Sequence, residues 1–185
     1  MPGYNWITDE IFTVSEFFSP DECEASIHLA ESSGFVEAPI NSAFGPEIRR
    51  DVRNNRRVMI DDFDRARQLW ERAEVYVPKF RHDWQAAGIN ERLRFYRYDL
   101  GQQFDWHHDG AFERENGERS QLTFMIYLND DFEGGETSFG GVNIVPQRGM
   151  ALFFVHQLRH KGQPVIRGRK YVLRSDVMYR YIASR

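Results

Sequence analysis

The sequence predicts an α+β fold, with helices first and then a β-sandwich or jelly roll. Two observations carry this. Aromatic side chains make up 15% of the 185 residues, and rings fit pleated, half-buried surfaces. The hydrophobic pattern also changes along the chain. A helical period dominates early, and short aromatic and β-branched runs follow from about residue 91. Helices followed by strands imply helices packed on one face of a β unit. The length suits a single domain over 1–185, with a helical part to about 90 and a β core from about 91 to 182.

The helical part begins with "FFSPDECEASIHLAESSGF". Ser19 is an N-cap, Pro20 sits in the first turn, and Glu22 completes a capping box. Cys23, Ile27 and Ala30 recur at helical spacing, and Gly34 ends the run. Residues 39–58 hold five arginines between Arg49 and Arg57, punctuated by Gly and Pro. They read as a solvated loop, with a substrate-holding flap as the sharper alternative. A second helix is expected from about Asp64 to Trp84, with Leu69, Ala73, Tyr76 and Phe80 on one face and Pro78 as a kink or break.

The β part reads as "RLRFYRYDL", "SQLTFMIYL", "GMALFFV" and "KYVLRSDVMYRY", separated by Gly-, Asn-, Asp- and Pro-containing turns. Several short strands at close spacing suggest a sandwich or jelly roll. In "DFEGGETSF", Gly134 and Gly135 fit a tight turn.

Charge and cysteine usage exclude several classes. The net charge is −4 and the pI about 5.9, which disfavours nucleic acid as a partner. One cysteine, Cys23, cannot form an internal disulfide, so a secreted disulfide scaffold is excluded. The start, "MPGYNWITDE", has no basic stretch followed by an apolar run, so no signal peptide is expected. No window approaches the roughly 18 apolar residues of a membrane span. The expectation is a cytoplasmic protein with no membrane partner.

The densest chemistry lies in "DWHHDG", residues 105–110. If this stretch is extended, His107 and Asp109 share one face and His108 takes the other. A His-x-Asp pair supplies two ligands of a 2-His-1-carboxylate triad, the set that leaves open positions on Fe(II). The third ligand must come from elsewhere, and His156 and His160 in "HQLRH" compete for it. Read as a helical zinc motif, that segment lacks the glutamate general base, since Gln157 follows His156. Gly162 and Pro164 also leave little room for a helix. Lys170 lies ten residues beyond His160 and starts a strand, with Arg174 on the same face. Two cations pointing into one β interior require anions to meet, which favours a dicarboxylate ligand.

In their order along the chain these residues resemble the prolyl 4-hydroxylase-like branch of the Fe(II)/2-oxoglutarate-dependent dioxygenases. The resemblance runs through "YRYDLGQQFDWHHD", "LTFMIYLNDDFEGGETSF", "VPQRGMALFF" and "HKGQPVIRGRKYVL", about residues 94–181. The "FFSPDECEASIHLA" segment is similar to the family's helical entry. The resemblance implies a double-stranded β-helix (jelly roll), with iron on His107, Asp109 and His160. It assigns the far carboxylate of 2-oxoglutarate to Lys170 and puts Tyr98 and Thr123 in the cosubstrate pocket, with Tyr127 nearby. Arg174 is a departure from the pattern; it either shares the cosubstrate carboxylate or holds a charged group of the substrate. The implied cofactors are Fe(II), 2-oxoglutarate and O2, with ascorbate as reductant. The implied reaction hydroxylates a substrate and releases succinate and CO2. Because the carboxylate Asp109 is present, hydroxylation is favoured over halogenation. The substrate class stays open: a peptidyl proline, another residue of a protein or peptide, or a small metabolite. A nucleic-acid repair dioxygenase and a non-catalytic ligand-binding or sensing module are the alternatives.

Overall fold

The computed structural model describes residues 3–42 and 45–182. Among them, strands dominate and two α-helices are present. The largest sheet has ten strands. Its central path runs Tyr4–Thr8, Ile11–Val14, Ala151–Val155, Arg119–Tyr127, Lys170–Tyr181, Arg92–Tyr98, Arg56–Asp61 and Val36–Glu37. Trp84–Ile89 pairs with the far half of Lys170–Tyr181. A four-stranded sheet contains Phe104–His107, His160–Gly162, Thr137–Ser138 and Asn143–Ile144. The arrangement is mostly β and consistent with a jelly-roll core.

Alternation along the long strands divides the core in two. One face of the ten-stranded sheet buries Phe95, Phe124, Phe153 and Leu173 together with Cys23, Ala30, Ala66, Leu69 and Ala73 from the helices. The other face buries Tyr96, Tyr98, Tyr127, Phe154 and Val172, with Phe104 packed against them from the small sheet. The candidate site opens between these layers.

The first helix, Pro20–Ser33, starts on the expected capping box, with Glu22 donating its backbone N–H to Ser19 and accepting from the Ser19 N–H. Two expectations are corrected. The second helix spans Phe63–Ala73, not to Trp84. Pro78 cannot continue a helix, and Trp84–Ile89 gains a ladder on Lys170–Tyr181 instead. The N-terminal part is also not purely helix and loop. Tyr4–Thr8 and Ile11–Val14 form a hairpin that docks on Ala151–Val155. Residues 56–58, read as loop, open the strand Arg56–Asp61. No helix among the described residues is long and apolar enough to cross a membrane.

Candidate metal centre

The small sheet sets the first half of the site. His107 and His160 are direct cross-strand partners, so both rings leave the ladder on the same side. Each ring is fixed by its own local carbonyl. His107 Nδ1–H donates to Asp105 O at 2.6 Å, and His160 Nδ1–H donates to Leu158 O at 2.9 Å. A carbonyl only accepts, so the neutral ring keeps its lone pair on Nε2. Both Nε2 atoms turn toward Asp109, at 3.8 Å from His107 and 3.6 Å from His160. The three ligand atoms lie within 4.8 Å of one another.

The strand Phe104–His107 ends before Asp109. Asp109 N–H instead donates to His156 O, which holds the carboxylate over the histidines. His108 points away; its Nδ1–H donates to Gln157 O at 2.8 Å.

His156 does not join the metal group. It is fully buried, and both ring nitrogens are engaged. Thr123 Oγ1 donates to Asp109 Oδ2 at 2.6 Å, so its contact with His156 Nδ1 at 2.9 Å has the ring as donor. His156 Nε2 then accepts from Ser120 Oγ at 2.9 Å. The chain Ser120–His156–Thr123 thus orients Asp109 from behind. No helix forms over "HQLRH", which removes the helical zinc reading.

The electrostatics favour an empty-handed donor set. Burial, followed by the charge of His160, pulls the His107 pKa down to about 3, and burial lowers His160. Both imidazoles are neutral at ordinary pH. Burial works against the Asp109 anion, but the charge of Arg174, the strongest beside it, holds its pKa below the usual range. Two neutral nitrogens and one carboxylate suit Fe(II), with carbonyl second partners of the kind that set a ligand's tautomer.

One cleft is lined by Tyr98, His107, Asp109, His160, Lys170 and Arg174, together with Tyr96 and Phe104. Lys170 is buried, with its Nζ donating to Gly135 O at 2.6 Å. Its ammonium lies 5.2 Å from the Tyr98 ring centroid and 5.3 Å from that of Tyr127. Burial pulls its pKa down to about 7. Gly135 has φ +69°, and an added Cβ would meet the Lys170 side chain at 3.1 Å, so the turn expected of Gly134-Gly135 is also the lysine's seat.

Two expected pocket residues stand behind the cleft rather than on its wall. Thr123 has its hydroxyl committed to Asp109. Tyr127 is fully buried, with its hydroxyl 2.7 Å from that of Thr137. Arg174 faces the metal group: its Nη2 also contacts Asp176 Oδ1 at 3.3 Å, and its Nη1 donates to Tyr96 Oη at 3.4 Å. Asp176, Ser120 and Arg53 are parts of the site that the sequence does not single out, whereas His156, a rival third ligand in sequence, orients Asp109 instead. Asp176 had a signal, lying on the same strand face as Lys170 and Arg174.

Residues 93–175 match the family profile of the 2OG-Fe(II) oxygenase superfamily. The chain also resembles the prolyl 4-hydroxylase-like branch of these oxygenases. It is 26% identical over 162 residues to prolyl 4-hydroxylase 1 of Arabidopsis thaliana, covering 78% of this chain and 56% of that one. The chain therefore spans little more than half that relative's length. It is 24% identical to a putative prolyl 4-hydroxylase of Acanthamoeba polyphaga mimivirus, covering 87% of this chain and 71% of the relative. Two solved structures share the fold. The viral collagen prolyl hydroxylase of Paramecium Bursaria Chlorella virus-1, in its 2OG complex, aligns with a TM-score of 0.65 at 19% identity, covering 92% and 96% of the two chains. A Pseudomonas putida prolyl-4-hydroxylase aligns with a TM-score of 0.66 at 18% identity, covering 92% and 93%. Profile and relatives place the chain's similarity among Fe(II)- and 2-oxoglutarate-dependent hydroxylases.

Proposed function

We propose that the chain is an Fe(II)- and 2-oxoglutarate-dependent dioxygenase that hydroxylates an amino-acid-type substrate, free or in a peptide, with release of succinate and CO2. The observation that carries this reading is the convergence of two tautomer-fixed Nε2 atoms and one carboxylate beside a buried lysine. His107, Asp109 and His160 would hold Fe(II), which when bound supplies the oxygen chemistry.

The chain's own residues do the rest. Nδ1–H bonds to the backbone hold both imidazoles in the binding tautomer. Thr123 and His156 keep the Asp109 carboxylate aimed inward. Lys170 would receive the far carboxylate of 2-oxoglutarate, and the ring of Tyr98 walls that end of the cleft. A buried ammonium held near neutrality gains most from a partner anion. The rings of Tyr96, Tyr98 and Phe104 line the cleft and would limit water at the reacting centre. The reading takes 1–185 as one double-stranded β-helix dioxygenase domain acting in the cytoplasm, with ascorbate as an accessory reductant.

Anaerobic titration with Fe(II) and 2-oxoglutarate tests it. A visible metal-to-ligand charge-transfer band is expected, and it should be lost in His107→Ala. An iron-loaded protein with no band would exclude a 2-oxoglutarate site.

A further inference from the structure

We infer that Arg53 and Arg57, backed by Arg174, form a carboxylate-binding subsite beside the metal cleft, so that the substrate presents a carboxylate next to the carbon that reacts. This rests on the dioxygenase reading and narrows its substrate class.

Arg53 is 5% exposed. Its Nε donates to Asn55 Oδ1 at 2.7 Å, but its Nη2 is buried with no hydrogen-bond partner. The guanidinium lies 4.3 Å from the Phe104 centroid and 4.6 Å from that of Tyr96, two rings of the cleft wall. Phe104 in turn stacks on His107 at 3.4 Å. Arg53 is thus one ring removed from a candidate ligand. Arg57 is the cross-strand partner of Tyr96 and is half-buried. Among the described residues neither Arg53 nor Arg57 enters an ion pair. At the Tyr96 hydroxyl, Arg174 has a buried Nε that is also without a partner.

The local charge count is one-sided. Four guanidiniums (Arg53, Arg57, Arg94 and Arg174) gather around Tyr96. The carboxylates paired with them are Asp109 and Asp176, and a bound metal would claim Asp109. Burial pushes the Tyr96 phenol up, yet the charges of Arg174, Arg53 and Arg94 bring its pKa down to about 8. A buried guanidinium with a free edge is costly until an anion meets it. Its planar fork suits a carboxylate. Stacking on Phe104 and Tyr96 explains the position of the Arg53 plane but not its unpaired Nη2. The far carboxylate of 2-oxoglutarate already has Lys170, so a second anion is the better occupant. The carboxylate can belong to a free acid or to an acidic side chain of a peptide.

The test is calorimetric, on protein loaded with Mn(II) and saturating 2-oxoglutarate. The probes are two acid–neutral pairs: N-acetylproline with N-acetylprolinamide, and a blocked Glu-Pro-Gly peptide with its Gln-Pro-Gly counterpart. One acid is expected to bind at least about tenfold tighter than its neutral partner, the free-charge-pair scale, and the responding pair identifies the source. Arg53→Met keeps the stem against the rings and should erase the difference. Arg57→Met, on a half-buried strand position, provides the same test should Arg53→Met not fold. Equal or absent binding within both pairs overturns the inference. So does a tenfold loss of 2-oxoglutarate affinity in Arg53→Met, which would assign the cluster to the cosubstrate. Loss of the charge-transfer band in the unaltered protein sinks the dioxygenase reading separately.

Discussion

Nη2 of Arg174 lies 3.1 Å from Oδ1 of Asp109. Both side chains are largely buried, at 13% and 5% exposure, so the candidate metal carboxylate is charge-paired before any metal arrives. Removing one partner of a buried pair strands the other, at a cost of about 3–5 kcal/mol. Arg174→Met should therefore destabilise the metal-free protein by that order. Asp109, held below its usual pKa, contributes stability that is present at neutral pH and lost as pH falls through the acid range. In Arg174→Met that contribution should vanish. Mn(II) should restore part of the loss, about 2.7 kcal/mol at a hundredfold excess over Kd. Urea unfolding with EDTA and with Mn(II) measures both.

The histidines should separate cleanly. His107→Ala and His160→Ala should each abolish metal binding, because each removes a lone pair whose tautomer the backbone has set. His108→Ala and His156→Ala should retain it, although His156→Ala leaves Thr123 and Ser120 without a buried partner and should cost about 1–3 kcal/mol of stability. Equilibrium dialysis against Mn(II) decides. Binding that survives in His160→Ala and fails in His156→Ala would reverse the ligand choice.

Thr123→Val deletes the 2.6 Å bond to Asp109 while keeping the side chain's shape. Outer partners of a ligand are worth about 10–100-fold in metal affinity. A loss in that range, with an unchanged far-ultraviolet spectrum, is expected.

Lys170 gives the 2-oxoglutarate complex a pH signature. Its pKa stands at about 7 in the protein alone, and a carboxylate partner favours the ammonium and raises it. Binding above pH 7 therefore takes up a proton. Affinity should fall as pH rises from about 7 toward the ordinary lysine range near 10.4. Calorimetry in two buffers of different ionisation enthalpy reads the proton directly. Lys170→Met should weaken 2-oxoglutarate by about 10–100-fold and erase the buffer difference.

The site was legible in sequence where its logic is local. His107 and Asp109 sit two apart and meet at the centre while His108 turns away, although the strand ends at His107 and the bond to His156 O seats Asp109. Lys170 and Arg174 share a face by strand alternation. The strands Arg92–Tyr98, Ala151–Val155 and Lys170–Tyr181 fall inside the aromatic runs read as strands, and Arg119–Tyr127 starts one residue before its run. What escaped depends on distant partners. Arg53 meets Phe104 across a bridge between residues far apart in sequence, and no local pattern marks it as buried. His156 was a rival ligand until its two hydroxyl partners, Thr123 and Ser120, were in view. The hairpin Tyr4–Val14 did carry a signal: "YNWIT" and "IFTV" are β-rich runs around Asp9-Glu10. Pro78 marked the end of the second helix region, but not the ladder that replaced it.

The direct pairing of His107 with His160 makes the centre a gauge of strand alignment. Side chains in a ladder alternate with period two, so a slip of one residue turns a ring to the opposite face. The ladder is short, and its register shifts between Phe104 and His107, so backbone bonds alone discriminate weakly against such a slip. An ion joining both imidazoles rewards only the aligned pairing. Metal binding would then act as proofreading of the fold: misaligned molecules lack the centre and are the ones a metal-loaded population leaves behind.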